Sequence, residues 1–278
     1  MFRKRIVAAV ATAILGAATA AQPASAAATV PTFDHVVLVM FENESSTSID
    51  STTAPYFASL AAQGANFTDS HALTHPSQPN YVALFSGDTQ GVTDDTCPQN
   101  LGAVDNLGSQ LAGAGKTFTG YSESMPSDGY TGCSSGEYRR KHNSWVDFSN
   151  VPASSNVRYS QFPSDYSQLP SVSFVTPNMC NDMHDCSVGT GDTWLKNNLD
   201  GYAQWAKTHN SLLIVTFDED EGTSTNQIYT SFTGAHVKQG DYSETINHYT
   251  VLRTMEAANG LPGIGNAANE TPISDAWQ

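Results

Sequence analysis

LLIVTF, at residues 212–217, is an uninterrupted β-branched and apolar run that ends at the acidic residues DEDE of 218–221. A short run of this kind predicts a strand that is buried on both faces. FDHVVLVM at 33–40 has the same character, and 172–175 and 117–121 predict further strands. Such strands usually belong to a parallel sheet that helices cover on both sides. The sequence therefore predicts an α/β fold with a mostly parallel central sheet.

Helices are predicted between these strands. Pro55–Gln63 stops before Gly64, and Leu107–Ala114 stops before Gly115. Asp192–Thr208 carries Trp, Leu and Tyr residues at helical spacing. The remaining predicted elements are a helix that starts around Pro79–Phe85, a strand at Ile228–Phe232 and a helix at His248–Ala258.

Residues 1–26 have the pattern of a secretory signal peptide. The basic stretch Arg3–Arg5 precedes an Ala-rich apolar run from Ile6 to Ala21, and small residues follow at Ala24–Ala26. That run is too short and too rich in Ala for a strong membrane span, so a retained anchor is the less favoured alternative. We expect a secreted protein without stable membrane insertion, in which residues 27–278 form a single domain.

The chain is strongly acidic, with 27 Asp and Glu residues, 12 Lys and Arg residues and a formal net charge of −15. This charge argues against nucleic acid as a partner and against electrostatic docking on anionic membranes. Three basic residues lie together at Arg139, Arg140 and Lys141. They are candidates for binding an anionic substrate through charge-assisted hydrogen bonds, and an exposed basic loop is the alternative.

Four cysteines in an exported chain favour two disulfides. We expect the pairs Cys97–Cys133 and Cys180–Cys186, because the second pair closes a short loop. A zinc site is the alternative, although the sequence has no Cys-x-x-Cys spacing.

Polar residues that can bind a metal follow three of the predicted strands. They are Glu42 and Asn43 after the first strand, Asp218 and Glu219 after residues 212–217, and Asp182 and His184 after residues 172–175. Ligands of parallel sheets bind beyond the carboxyl ends of the strands. Clustered carboxylates favour a hard divalent cation. Each cluster alone is also compatible with a solvated turn, and the convergence of three favours a metal site.

The segment HPSQPN at 75–80 places Ser77 between two prolines, just before a predicted helix. A serine hydroxyl is a weak nucleophile at neutral pH and needs a base or a metal to activate it. The N–H groups at a helix start suit a phosphate group, and the Asn80 amide adds donors. A rigid capping loop without chemistry is the alternative.

These segments together resemble the phosphoesterase family of bacterial acid phosphatases and related phospholipases C. The stretches that carry the resemblance include FDHVVLVMFENES, THPSQPNYVALFSG, YRRKHNSWVDFSNVP, SVSFVTPNMCNDMHD and LLIVTFDEDEG. That family is similar to a branch of the alkaline phosphatase superfamily. The resemblance implies a three-layer α/β/α sandwich and one phosphoesterase catalytic domain at residues 27–278.

The resemblance also implies roles for individual residues. Ser77–Asn80 matches the nucleophile motif of the superfamily's nucleotide pyrophosphatase branch, so Ser77 is the expected nucleophile. Glu42 stands at the position of the first-strand metal ligand, and Asp218 and Glu219 stand at that of an Asp-His pair.

Two departures from the superfamily pattern argue against a two-zinc site, since Glu219 replaces a His and Asn178 stands where a metal-binding Asp is expected. One hard divalent ion is favoured, with calcium or magnesium preferred and zinc as the alternative. A second ion, bound by His184 or Asp182 with His248, stays open. The expected ligands of the favoured ion are Glu42, Asn43, Ser77, Asp218 and Glu219.

The predicted reaction is hydrolysis of phosphate monoesters through a phosphoserine. Asn80 is expected to hold the phosphoryl oxygens, and His184 or His248 to protonate the leaving group. Arg139–Lys141 and His75 are the expected substrate contacts. Small-molecule and phospholipid monoesters, phosphoinositides among them, are the expected substrates. A phospholipase C-type phosphodiesterase is the rival, and a secreted, non-catalytic, metal-stabilised binding protein is less favoured.

Overall fold

A computed structural model describes residues 1–2 and 29–278 of the chain, so the predicted signal peptide lies, apart from its first two residues, outside the described residues. No helix in the described part is both long enough and apolar enough to cross a membrane. The described strands are β1 (His35–Phe41), β2 (Ala65–Phe67), β3 (Ser70–His71), β4 (Phe118–Ser122), β5 (Ser134–Ser135), β6 (Tyr138–Arg139), β7 (Asn156–Arg158), β8 (Val172–Thr176), β9 (Ser211–Phe217), β10 (Thr230–Gly234), β11 (Gly240–Tyr242) and β12 (Ile246–Asn247). The described helices are α1 (Pro55–Gln63), α2 (Ser77–Ser86), α3 (Leu107–Gly113), α4 (Val188–Ala206) and α5 (His248–Ala258).

Eight strands form the central sheet, in the order β11-β2-β10-β9-β1-β8-β4-β7. β1 runs parallel to both of its neighbours, β8 and β9, and the parallel arrangement continues through β4 to β7. β10 is antiparallel to β9 and to β2. The predicted mostly parallel α/β sheet is therefore confirmed. Because β8, β1 and β9 run in the same direction, their carboxyl ends meet at one edge of the sheet.

The side chains of β1 alternate between two cores. Leu38 packs in the core that contains residues of α2, α3 and α5. Val39 packs in the core that contains residues of α1 and α4. Burial on both faces explains why the sequence shows a continuous apolar run instead of an alternating one. The predicted arrangement of a helix layer on each side of the sheet is present.

The start of α4 differs from its prediction for a structural reason. The helix begins at Val188, about one turn before Asp192. The buried Asp192 carboxylate accepts hydrogen bonds from Tyr56 N and Phe57 N at 2.8 and 3.0 Å, so it caps α1 and not its own helix. Seven short strands have no counterpart among the predictions, because two or three residues carry no periodic pattern. They are β2, β3, β5, β6, β7, β11 and β12.

Candidate active site

The carboxyl ends of β1 and β9 place two carboxylates side by side. Phe41 and Phe217 end these strands in register, and Glu42 and Asp218 follow directly. Asp218 N donates to Phe41 O at 2.9 Å, and Asn43 N donates to Asp218 Oδ1 at 3.1 Å. Glu42 and Asp218 are both 0 % exposed. Two buried acidic groups at one point require a bound proton or a cation.

Ser77 lies against both strand ends. It is the first residue of α2. Its Oγ lies 3.0 Å from Glu42 Oε2 and 3.0 Å from Glu219 Oε1. One hydroxyl has one proton and can donate to one of these oxygens only. The other carboxylate therefore needs a proton of its own or a positive ion.

Asn80 shapes the loop that carries Ser77. Its side chain is fully buried, and its Oδ1 accepts hydrogen bonds from Leu73 N and Thr74 N at 3.1 and 3.2 Å. Its Nδ2 donates to Thr74 O at 2.8 Å. The amide is thus occupied by the backbone of its own loop. This corrects the predicted role of Asn80 as a ligand of the phosphoryl oxygens, since the residue positions the backbone before the nucleophile candidate.

A second group of side chains meets at the other oxygen of Glu42. Tyr81 OH donates to Glu42 Oε1, and His142 Nε2 lies 3.1 Å from the same oxygen. His142 Nδ1 lies 3.3 Å from Asp182 Oδ2. Glu42, His142 and Asp182 are buried, and each offers a ligand atom within 4.8 Å of the other two. Glu42 therefore joins this group to the Ser77 group.

His142 is a site residue that the sequence analysis did not single out. In the sequence it ends the basic run RRKH and looks like part of an exposed patch. In the structure, a 3-10 turn at Arg140–His142 directs its ring inward, where it stacks on Tyr81 with a centroid distance of 5.2 Å. No local pattern marks this contact, because it joins segments that lie far apart in the chain.

The pKa directions of the buried site residues favour a bound positive charge. Burial, followed by the charge of Asp182, raises the pKa of Glu42 well above its ordinary value. Burial, with the charges of Glu42 and Glu219, raises the pKa of Asp218 in the same way. Burial lowers the pKa of His142, so the ring is neutral and has one N–H for two flanking carboxylates. A divalent cation beside these groups would relieve the repulsion between the carboxylates.

Unpartnered buried atoms lead to the same conclusion. Among the described residues, Asp218 Oδ2 and Asp182 Oδ2 are buried without a hydrogen bond. Buried polar atoms usually have a partner, so these two are candidate ligand atoms. The residues present therefore fit a divalent metal. The candidate ligands are Glu42, Ser77, Asp218 and Glu219 for one position, and Glu42, His142 and Asp182 for another. Asn43 contacts the first position through its backbone N–H, and its predicted role as a side-chain ligand stays a prediction.

A disulfide closes the loop that supplies Asp182. Cys97–Cys133 and Cys180–Cys186 are both formed, so the predicted pairing is confirmed and all four cysteines are used. Glu42 N donates to Asp182 O at 2.8 Å, which ties this loop to the end of β1. The short covalent loop restricts the chain that carries Asp182.

The three basic residues of the predicted patch have separate surroundings. Lys141 faces the site, and its Nζ donates to Asp95 Oδ2 at 2.6 Å. Arg140 is buried, pairs with Asp147 at 2.9 Å and donates to backbone carbonyls. These contacts hold its buried guanidinium in the interior, which speaks against its predicted role in substrate binding. Arg139 donates to carbonyls of its own turn.

His75 contacts the site through Glu219. Its Nδ1 hydrogen bonds to Glu219 Oε2, and its Nε2 lies 3.0 Å from Thr223 O. The other oxygen of Glu219 faces Ser77. His75 therefore orients Glu219, and it is about one-third exposed beside the site.

The two predicted proton donors have their own hydrogen-bond partners in the described structure. His248 Nε2 donates to Asp218 O at 2.7 Å, and burial lowers the pKa of His248 to about 4. The buried ring is held against the strand end by this hydrogen bond, and the acid role of His248 stays a prediction. His184 pairs with Asp185 at 2.7 Å near the surface, and its ring lies 6.1 Å from that of His142.

The position of His142 yields a testable prediction. His142→Gln is expected to weaken divalent-metal affinity about tenfold or more, because it removes an imidazole ligand between two carboxylates. Titration of the metal-free protein with Mn²⁺ measures this affinity. His209→Gln is the matched control, since it makes the same change at an exposed His whose ring contacts Trp205 O and no residue of the site. Equal affinities in the two variants would remove His142 from the metal site.

Comparison with known proteins shows the family of the chain. A family model described as Phosphoesterase family matches residues 47–262. A phosphatidylinositol-3-phosphatase of Mycobacterium tuberculosis is 55 % identical over 255 residues, which cover 91 % of this chain and 85 % of that protein. An acid phosphatase of Aspergillus fumigatus is 31 % identical over 226 residues, which cover 74 % of this chain and 51 % of that protein.

Solved structures show the same fold at low sequence identity. A protein of the alkaline phosphatase superfamily from Vibrio parahaemolyticus has a TM-score of 0.63 at 12 % identity, covering 90 % of this chain and 74 % of that one. A lipoteichoic acid synthase from Listeria monocytogenes has a TM-score of 0.61 at 9 % identity, covering 90 % and 78 %. The predicted alkaline phosphatase-like fold is confirmed.

Proposed function

The chain belongs to the phosphoesterase family and is a phosphatase, and from this premise we propose that it hydrolyses phosphate monoesters through a phosphoserine formed on Ser77. One observation carries the proposal: Ser77 Oγ lies 3.0 Å from the carboxylates of both Glu42 and Glu219 in a buried site that fits a metal. A serine that merely caps a helix has no need of two buried acidic partners, which are costly to desolvate.

The proposed reaction has two displacements. Ser77 Oγ forms a bond to phosphorus as the ester P–O bond breaks, and the departing alkoxide takes up a proton from solvent. The hydroxyl proton of Ser77 passes to Glu219 Oε1, which His75 orients through the other carboxylate oxygen. A water molecule then attacks phosphorus, gives up one proton to solvent and displaces Ser77 Oγ as inorganic phosphate forms, and the proton held by Glu219 returns to Ser77 Oγ. A divalent cation, when bound, would favour the alkoxide and stabilise charge on the phosphoryl oxygens.

Phosphoinositide monoesters belong to the proposed substrates. Support comes from the 55 % identical relative, whose name states that it acts on phosphatidylinositol 3-phosphate. Lys141 bonds to the same Asp95 carboxylate as Gln78 N, the N–H of the residue after Ser77, and so offers a positive charge to a dianionic monoester. We also propose that residues 1–26 direct secretion and that residues 27–278 form the catalytic domain. The two disulfides support an oxidising, extracellular location.

A substrate panel tests this proposal against the phospholipase C alternative. We expect phosphatidylinositol 3-phosphate and p-nitrophenyl phosphate to show a higher kcat/KM than phosphatidylinositol and bis-p-nitrophenyl phosphate at matched ionic strength. A diester has one charge fewer for Lys141 and brings a second substituent to a nucleophile that is 2 % exposed. Faster release of diacylglycerol than of phosphate would replace the monoesterase proposal with a phospholipase C.

A further inference from the structure

Asp95 occupies two hydrogen-bond donors that adjoin Ser77. It lies in the loop between α2 and α3, next to Cys97 of the disulfide to Cys133. Its Oδ1 accepts a hydrogen bond from Gln78 N at 3.0 Å, and its Oδ2 accepts one from Lys141 Nζ at 2.6 Å. The single carboxylate thus bridges the first turn of α2 and a cation of the site.

The same two donors are suited to a phosphoryl group. Gln78 N belongs to the residue directly after Ser77, at the start of a helix where backbone N–H groups bind anions. Burial lowers the pKa of Lys141. The hydrogen bond to Asp95 and the charges of nearby carboxylates outweigh burial, so the pKa lies above its ordinary value and the side chain is a cation. A carboxylate and a phosphoryl group accept hydrogen bonds from N–H donors in the same way.

The Asp95 carboxylate also adds negative charge to the site. After burial and the local hydrogen bonds, its charge contributes to raising the pKa of Glu219, which touches Ser77. An anionic substrate would meet this charge on approach. The side chain of Asp95 is 32 % exposed, so it has room to turn outward into solvent.

The Asp147–Arg140 pair differs from the Asp95–Lys141 pair because it is buried. Asp147 is 4 % exposed and accepts two hydrogen bonds from Arg140, which also donates to the carbonyls of Thr131 and Gln99. That pair is fixed in the interior. Asp95, in contrast, lies at the rim and holds two donors that have no other acceptor among the described hydrogen bonds.

We infer that Asp95 competes with the substrate for Gln78 N and Lys141 and thereby limits the affinity of the site for phosphate groups. This inference rests on the proposed function at Ser77. Substrate phosphate must displace the carboxylate, which turns towards solvent while the phosphoryl oxygens take over its two hydrogen bonds. The residue thus determines affinity and does not take part in the bond changes.

Asp95→Asn and Asp94→Asn form a matched pair of variants. Both remove one negative charge from the same loop. The Asp94 carboxylate accepts a hydrogen bond from Thr96 N at 2.9 Å, away from Lys141 and Gln78. The pair therefore separates the local competition from the change in net charge. Asp95→Ala removes the acceptor oxygens completely and is compared with the same control.

The test measures binding of inorganic phosphate by calorimetry, together with KM and kcat for p-nitrophenyl phosphate. The expected result is at least fivefold tighter phosphate binding and a lower KM for Asp95→Asn and Asp95→Ala, with Asp94→Asn within twofold of the unaltered protein. Unchanged or weaker phosphate binding in folded Asp95 variants would overturn the inference, because it would show that Asp95 only positions Lys141 or caps α2.

The phosphate titration needs no turnover, so its result is independent of whether Ser77 is the nucleophile. Absence of monoester turnover by the unaltered protein would contradict the proposed function alone. If Asp95→Ala fails to fold, Asp95→Asn still decides the outcome, since Asn fills the same space. Thermal unfolding checks that each variant is folded.

Discussion

Replacement of Ser77 by Ala is expected to lower kcat for p-nitrophenyl phosphate by at least about 1,000-fold, since removal of a nucleophile leaves only the residual contributions of the site. The fold should survive, because Ala is well tolerated in a helix and the change removes one oxygen. Loss of Ser77 Oγ also separates Glu42 and Glu219 from their shared hydroxyl. Steady-state kinetics and thermal unfolding measure the two effects.

Ser86→Ala is the matched control for this variant. Ser86 lies in the same helix, is also buried and uses its hydroxyl on Val82 O, at the end of α2 away from the carboxylates. The same chemical change should therefore leave kcat within about a factor of three, as expected for a substitution outside the site. Retention of more than a few per cent of the activity by Ser77→Ala would contradict the nucleophile assignment.

Asp218→Asn is expected to lose bound metal and to lower kcat/KM about 100-fold or more, because it removes a charged oxygen ligand from the centre of the site. Asp218 is fully buried, its Oδ1 is held by Asn43 N and its Oδ2 has no hydrogen bond among the described residues. An amide in its place cannot carry the negative charge that a divalent cation requires. Elemental analysis after removal of free metal gives the metal content, and steady-state kinetics give the activity.

Glu221→Gln provides the comparison within the same acidic run. Glu221 is exposed, and its carboxylate accepts a hydrogen bond from Ser45 N at 2.9 Å. Glu221→Gln removes the same charge as Asp218→Asn, at a residue that has no hydrogen bond to Ser77 or Glu42. Metal content and rate are expected to stay near those of the unaltered protein. If Asp218→Asn also keeps its metal content and rate, residues 218–221 are a solvated acidic turn and not a metal site.

The position of the site could be predicted because it follows from strand direction. Apolar runs identify β1 and β9, and parallel strands bring the residues after them to one edge, so Glu42, Asp218 and Glu219 could be placed together. Ser77 could be added because its motif precedes a helix that starts at the same edge. These inferences need the order of strands and helices but no side-chain contact.

The remaining site residues depend on contacts that no local pattern encodes. His142 lies in a 3-10 turn and is buried, whereas the basic run that contains it suggested an exposed surface. Arg140 in the same run is buried because it forms an ion pair with the buried Asp147. The Asn80 amide has donors that suit phosphate, but in the structure it hydrogen bonds to the backbone of the loop before α2. Side-chain chemistry indicates what a residue is able to bind, whereas its neighbours in the fold determine what it does bind.

The stereochemical course at phosphorus tests the phosphoserine most directly. The substrate is a phosphate monoester made chiral with oxygen isotopes, and its phosphoryl group is transferred to an alcohol acceptor by the unaltered protein. Each in-line displacement inverts phosphorus, so formation and cleavage of a phosphoserine predict overall retention of configuration. Overall inversion would show a single direct displacement and would contradict a covalent intermediate on Ser77.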